Sequence, residues 1–132
     1  MTKNFTKEEL TRSSFAERNN ILNVPNMEQE RNLRCLAWRL EFIRLLLGNH
    51  PIVVNSAFRN TEVNAGLFGS STSSHLDGLA ADIVPGNNRS IRENALTIKE
   101  SALEFDQIIV YKTFIHIGFD KRMRRQVIYR DN

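Results

Sequence analysis

The sequence predicts an α+β fold in which a small antiparallel sheet packs on helices. Three observations carry that prediction. One long stretch has helical apolar spacing, several short stretches are rich in β-branched and aromatic residues, and the elements follow the order helix, strand, loop, strand, helix, hairpin without an internal repeat. A length of 132 residues suits one domain spanning 1–132. With 41% hydrophobic and 25% charged residues, the chain has ordinary globular composition and can close a core without staples.

Met1 to Phe15 mixes Lys3, Lys7, Glu8, Glu9 and Arg12 with few apolar residues. It lacks the hydrophobic stretch of a secretory signal, so cytoplasmic synthesis is expected, and nothing in the sequence is apolar enough to span a membrane. From Asn26 the spacing of Met27, Leu33, Leu36, Ala37, Leu40, Ile43, Leu46 and Leu47 predicts a helix, ended by Gly48-Asn49-His50-Pro51. Cys35, the single cysteine, sits among leucines and is expected to be a small buried hydrophobe. Ile52-Val53-Val54 begins a short buried strand, closed by Ser56-Ala57-Phe58-Arg59. Asn60 to Ala65 suits a brief helix capped by Asn60 or Thr61.

Composition then shifts abruptly to Gly66-Leu67-Phe68-Gly69-Ser70-Ser71-Thr72-Ser73-Ser74, which runs directly into His75 and the apolar segment Leu79 to Val84. This is expected to be a site loop feeding a strand rather than a linker. Ser90, with Glu93 in capping-box position, starts a helix reaching about Leu103. Gln107 to Tyr111 and Phe114 to Phe119 form a hairpin around Lys112-Thr113, and Gln126 to Tyr129 adds a last strand.

The formal charge of +3 is concentrated in Lys121, Arg122, Arg124, Arg125 and Arg130. Such a cluster admits an anionic partner or is a solvated basic strand. A nucleic-acid surface is disfavoured, because no aromatic-interleaved basic stripe accompanies the charge.

Three histidines occur. His50 lies between a helix stop and a proline and is expected to be a structural or exposed turn residue. His75 precedes, by seven positions, an aspartate that interrupts an apolar strand. Burying the Asp82 carboxylate costs several kcal/mol without a counter-charge, and a divalent cation supplies one. Gly78 lets the chain turn so that His75 can reach the same ion. His116 interrupts the strand Phe114 to Phe119, with Ile115 and Ile117 pointing one way and Phe114, His116 and Gly118 the other. Two histidines and one carboxylate make an open catalytic zinc set, whereas structural sites close with four ligands and favour cysteine.

The pattern Ser73-x-His75-x-x-Gly78-x-Ala80-x-Asp82, followed by an aromatic-x-His116 strand and preceded by Ser56-x-Phe58-Arg59, resembles the zinc D-Ala-D-Ala carboxypeptidase family. That family includes vancomycin-resistance D,D-peptidases and many phage endolysins, with the hedgehog signalling domain as a fold relative. The resemblance runs from about Phe5 to Tyr129. It implies a hedgehog-like or D,D-peptidase-like fold and a zinc peptidase acting on a peptidoglycan stem or cross-link peptide. It further implies that His75, Asp82 and His116 hold Zn²⁺, that Arg59 binds the substrate's carbonyl or carboxylate oxygen, and that Ser56 and Ser73 support substrate and metal loop. A monomer is expected, with no nucleic-acid or membrane partner. Without a leader, the chain is similar to phage or virion-carried lysis enzymes that act at the wall.

One feature departs from the family pattern. Many relatives carry an acid three residues before the last histidine, where Thr113 stands here, or a glutamate on the preceding strand near Val110 and Tyr111. Asp106 is then the first candidate for general base, and Tyr111 for a hydrogen-bond donor to the oxyanion or leaving group. The same departure leaves room for a catalytically inactive module of this fold that binds cell-wall peptide or a protein partner.

Overall fold

A computed structural model describes residues 1–131. Two short helices open the chain, α1 (Lys7–Thr11) and α2 (Ser14–Arg18), whose first turns are capped by the Thr6 and Ser13 side chains. Neither was foreseen, because five residues are too few to show an apolar period. They are held by tertiary packing: Phe5 and Leu10 are fully buried, and the Phe58 N–H donates to the Leu10 carbonyl.

The long helix α3 (Met27–Leu46) starts at a capping box in which Asn26 and Gln29 satisfy each other's backbone N–H. Leu33, Leu36, Ala37, Leu40 and Ile43 form its buried stripe. Met27 and Cys35 are exposed, which corrects the expectation for both. Each residue advances about 100° around a helix, so Cys35, one position before Leu36, is carried off the stripe.

Strand β1 (Ile52–Ser56) alternates buried and exposed residues and forms one edge of the sheet, so Val53 faces solvent instead of a second layer. Helix α4 (Thr61–Gly66), capped by Asn60, leads into the Gly/Ser-rich loop and a 3-10 turn at Ser74–Asp77. There follow β2 (Ala80–Pro85), α5 (Ile91–Lys99), β3 (Gln107–Val110), β4 (Ile115–Gly118) and β5 (Gln126–Tyr129). Helix α5 has the expected Ser90–Glu93 capping box but stops at Lys99. The Ser101 hydroxyl bonds the Ile98 carbonyl there, and the Arg125 guanidinium takes the carbonyls of Lys99 and Leu103.

The sheet order is β1-β2-β4-β3-β5. Three pairings are antiparallel, as expected, but β5 runs parallel to β3, so the sheet is mixed. The chain leaving β4 crosses the end of β3 and returns beyond it. β5 is thereby antiparallel to β4 in direction and parallel to the strand it pairs with. One face of the sheet carries Ile83, Ile108, Val110, Ile115 and Ile117 into the core shared with α3 and α5. On the other face the register aligns Ser56, Asp82, His116, Ile109 and Ile128 in one row across five strands. Among the described residues, no helix is long and apolar enough to cross a membrane.

Candidate metal centre

Asp82 and His116 are direct cross-strand partners on β2 and β4, so the sheet register alone brings them together. His75 arrives from the 3-10 turn. Asp82 Oδ1 lies 2.9 Å from His116 Nδ1 and 3.3 Å from His75 Nε2, and the donor atoms of all three residues lie within 4.8 Å of one another. Tetrahedral zinc with ligand bonds near 2.0–2.1 Å spaces its donors by about 3.3 Å, so the set matches that ion in size as well as in type.

The hydrogen bonding points the same way. His75 Nδ1 is 2.6 Å from the Ala57 carbonyl, which can only accept, so the proton is assigned to Nδ1 and Nε2 presents a lone pair to the Asp82 carboxylate. Two acceptors facing each other in a site where His75 is 3% and Asp82 8% exposed call for a cation between them. Burial works to raise the Asp82 pKa, but the hydrogen bond from His116 and the two neighbouring imidazoles outweigh it and hold the group well below the usual carboxylate range. The carboxylate is therefore kept in the form that binds a cation.

Local sequence chemistry builds the turn that delivers His75. Ser73 caps it, its hydroxyl accepting from the His75 N–H. Gly78 ends it in the left-handed conformation at φ 74°, which a glycine adopts without cost. Helix α3 clasps the turn from behind: Gln29 Nε2 donates to the Leu76 carbonyl and Asn32 Nδ2 to the Asp77 carbonyl. The Arg59 N–H donates to the His75 carbonyl, tying the segment after β1 to the same turn.

The Arg59 guanidinium sits beside the three donors. Its Nε donates to Ser56 Oγ at 3.0 Å and its NH2 to Asp82 Oδ2 at 3.4 Å. Burial pulls its pKa down, while the charge of Asp82 supports the protonated form. An arginine stays cationic under such a shift. Ser56 therefore orients Arg59, and Ser73 orients the loop.

These residues line an open cleft of about 820 Å³. Tyr111 is in it, its ring stacked on Phe114 with centroids 4.4 Å apart. Asp106 also reaches the cleft but is poorly suited to the base role expected of it. It is 3% exposed, Arg124 Nε and NH2 bind both its oxygens at 2.9 Å, and the Arg124 N–H adds a third bond. Those bonds hold its pKa below the ordinary value, which makes it a weak proton acceptor at neutral pH. His50 is exposed, away from this cleft, with its ring against Gly48.

The basic segment is not simply a solvated strand. Arg122 pairs with Asp120, Arg124 with Asp106, and Arg125 stacks on Phe105. Sequence reasoning had no means to find Arg122, Arg124, Phe68 or Phe114 in the cleft, because no spacing rule connects them to the histidines.

Comparison with known proteins agrees with this geometry. Over 50 residues, 38% of its length, the chain is 40% identical to the zinc D-Ala-D-Ala carboxypeptidase of Streptomyces albus G; the aligned stretch spans 20% of that relative. A family model described as peptidase M15 matches residues 3–118, a span reaching from before α1 to the end of β4. Since that match takes in most of the chain and not only the segment that carries the histidines, the chain belongs to the peptidase M15 family.

Proposed function

We propose that this protein is a zinc metallopeptidase, folded as a single domain, that hydrolyses peptide bonds in bacterial peptidoglycan. The observation that carries the proposal is the convergence of two imidazoles and one carboxylate in an open cleft, beside a cation held ready for substrate. His75 Nε2, Asp82 and His116 Nδ1 would hold the metal. Zinc, when bound, supplies Lewis acidity that polarises a carbonyl and acidifies water.

The protein's own groups account for the remaining steps. The Ala57 carbonyl holds the proton on His75 Nδ1 and keeps Nε2 free to ligate. Arg59, oriented by Ser56, binds a substrate carbonyl or carboxylate oxygen and stabilises negative charge developing there. Tyr111 offers a hydroxyl at the same end of the cleft to donate to the oxyanion or the leaving group. The relative's name points to a D,D-carboxypeptidase, and an endolysin-type endopeptidase acting at the wall on phage release is equally compatible with an open cleft.

One observation favours a second reading, in which the domain binds wall peptide without turnover. Among the described residues, neither carboxylate lining the cleft is free to accept a proton, since Asp82 is engaged by the histidines and Asp106 by Arg124. Mass spectrometry of purified wall fragments incubated with zinc-loaded protein decides between them. The peptidase reading expects loss of D-alanine or splitting of cross-links, abolished by a chelator and by His116→Ala. Retained binding with no product from the loaded wild type would leave the binding module.

A further inference from the structure

The end of the cleft away from Arg59 carries two more arginines whose donors the fold does not consume. Asp106 immediately precedes β3, and its two oxygens take Nε and NH2 of Arg124. Arg122 gives only its Nε to Asp120. A guanidinium has five N–H donors, so three on Arg124 and four on Arg122 are left, and their side chains are 41% and 61% exposed.

The turn presenting them is closely specified. Arg124 lies between two left-handed non-glycine residues, Met123 at φ 44° and Arg125 at φ 54°. The backbone is pinned by Arg125 N–H to the Phe105 carbonyl and Gln126 N–H to the Asp106 carbonyl. An arginine clamped in this way loses little rotamer entropy on binding a second anion.

Charge and distance then describe the ligand. Three arginines and two aspartates line the cleft, and both aspartates are already engaged. Arg59 reaches Asp82 on β2, whereas the Asp106–Arg124 pair stands at the start of β3, with β4 and His116 between. Asp106 also lies three residues along from Ile109, the β3 residue level with Asp82 and His116, so two strand spacings of about 10 Å combine with about 10 Å along the strand to give about 14 Å. An extended peptide covers that in about four residues.

We propose that Arg122 and Arg124 form a carboxylate subsite that selects peptides bearing a second acidic group about four residues from the group bound at Arg59. The subsite rests on the peptidase reading for its catalytic readout but not for its binding readout. Bidentate arginine–carboxylate contacts of this kind change affinity by about tenfold or more.

The test uses zinc-loaded protein and two synthetic peptides that differ only in whether the acidic residue at that distance is free or amidated. The free acid should show a KM about tenfold lower, with kcat little changed, and the preference should shrink as salt rises. In Arg122→Gln the ratio between the two peptides should fall towards one, and Arg122→Lys should restore part of it. Arg124→Gln, checked for folding by circular dichroism, should reduce the ratio as well. Equal treatment of both peptides by the wild type overturns the subsite, as does a preference surviving both glutamine variants. If neither peptide is cleaved, the peptidase reading fails by itself, and calorimetric binding of the same pair takes over. A tenfold preference there upholds the subsite, and equal or absent binding overturns it.

Discussion

Gly78→Ala isolates the link between backbone geometry and the metal centre. The glycine ends the turn carrying His75 at φ 74°, ψ 25°, where an L-residue with a Cβ costs about 1–2 kcal/mol. A Cβ there would lie 2.8 Å from the Gln29 carbonyl oxygen and 3.1 Å from Leu33 Cγ, both on α3. A helix carbonyl cannot swing aside, so turn and helix must separate at the seam held by Gln29 and Asn32, adding about 1–3 kcal/mol. The sum is about 2–5 kcal/mol. For a chain of this length that lowers Tm by about 7–18 °C. Because His75 lies on the displaced turn, zinc affinity should also drop about tenfold or more. Gly48→Ala is the control. Gly48 has φ 95°, but its nearest neighbour is the movable His50 ring at 3.1 Å, away from the metal cleft. It should lose about 1–2 kcal/mol and leave zinc binding unchanged. Thermal melts with and without chelator, together with competitive zinc titration, read both quantities. A Gly78→Ala protein with wild-type stability and zinc affinity would refute the clasp as the element that fixes His75.

Two other substitutions probe the cleft. Arg59→Gln should reduce kcat/KM by about 10²–10³ with zinc content intact, and Arg59→Lys should not rescue it, because lysine cannot keep the Ser56 contact while presenting a fork; steady-state kinetics beside metal analysis checks this. Asp106→Asn should destabilise the protein at pH 7 by removing the charged partner that Arg124 binds through both oxygens. The folded-state pKa of Asp106 is depressed, chiefly by the Arg124 hydrogen bonds, so this stabilisation is present above the unfolded value near 4 and fades as pH falls towards the folded one. Urea midpoints of the metal-free wild type and variant should therefore converge as pH falls below about 4, and a gap that stays constant would show that the ion pair is not its source.

The local elements were legible because each announces itself over a few neighbouring residues. The capping boxes at Asn26–Gln29 and Ser90–Glu93, the stop at Gly48 to Pro51 and the hairpin around Lys112-Thr113 all follow from contacts within a turn or two. The three donors were legible for another reason: an acid or imidazole interrupting an apolar strand is too costly to stand without a partner, and Asp82 and His116 do face each other across β2 and β4. Cys35 misled because leucines on either side in sequence lie on a different face of the helix.

What the sequence by itself determined is the elements from α3 onward, the turn chemistry around His75 and the kind of cation its acid and imidazoles suit. Only the tertiary structure decided the partners that are distant along the chain: α1 and α2 held by Phe5 and Leu10, β5 laid parallel to β3, Ser56 turned to orient Arg59, and Asp106 taken by Arg124 instead of left to accept a proton. The physical reason is that these pairings exchange long-range burial and charge for chain entropy. That balance depends on which groups the finished fold makes neighbours, and no spacing rule along the chain encodes it.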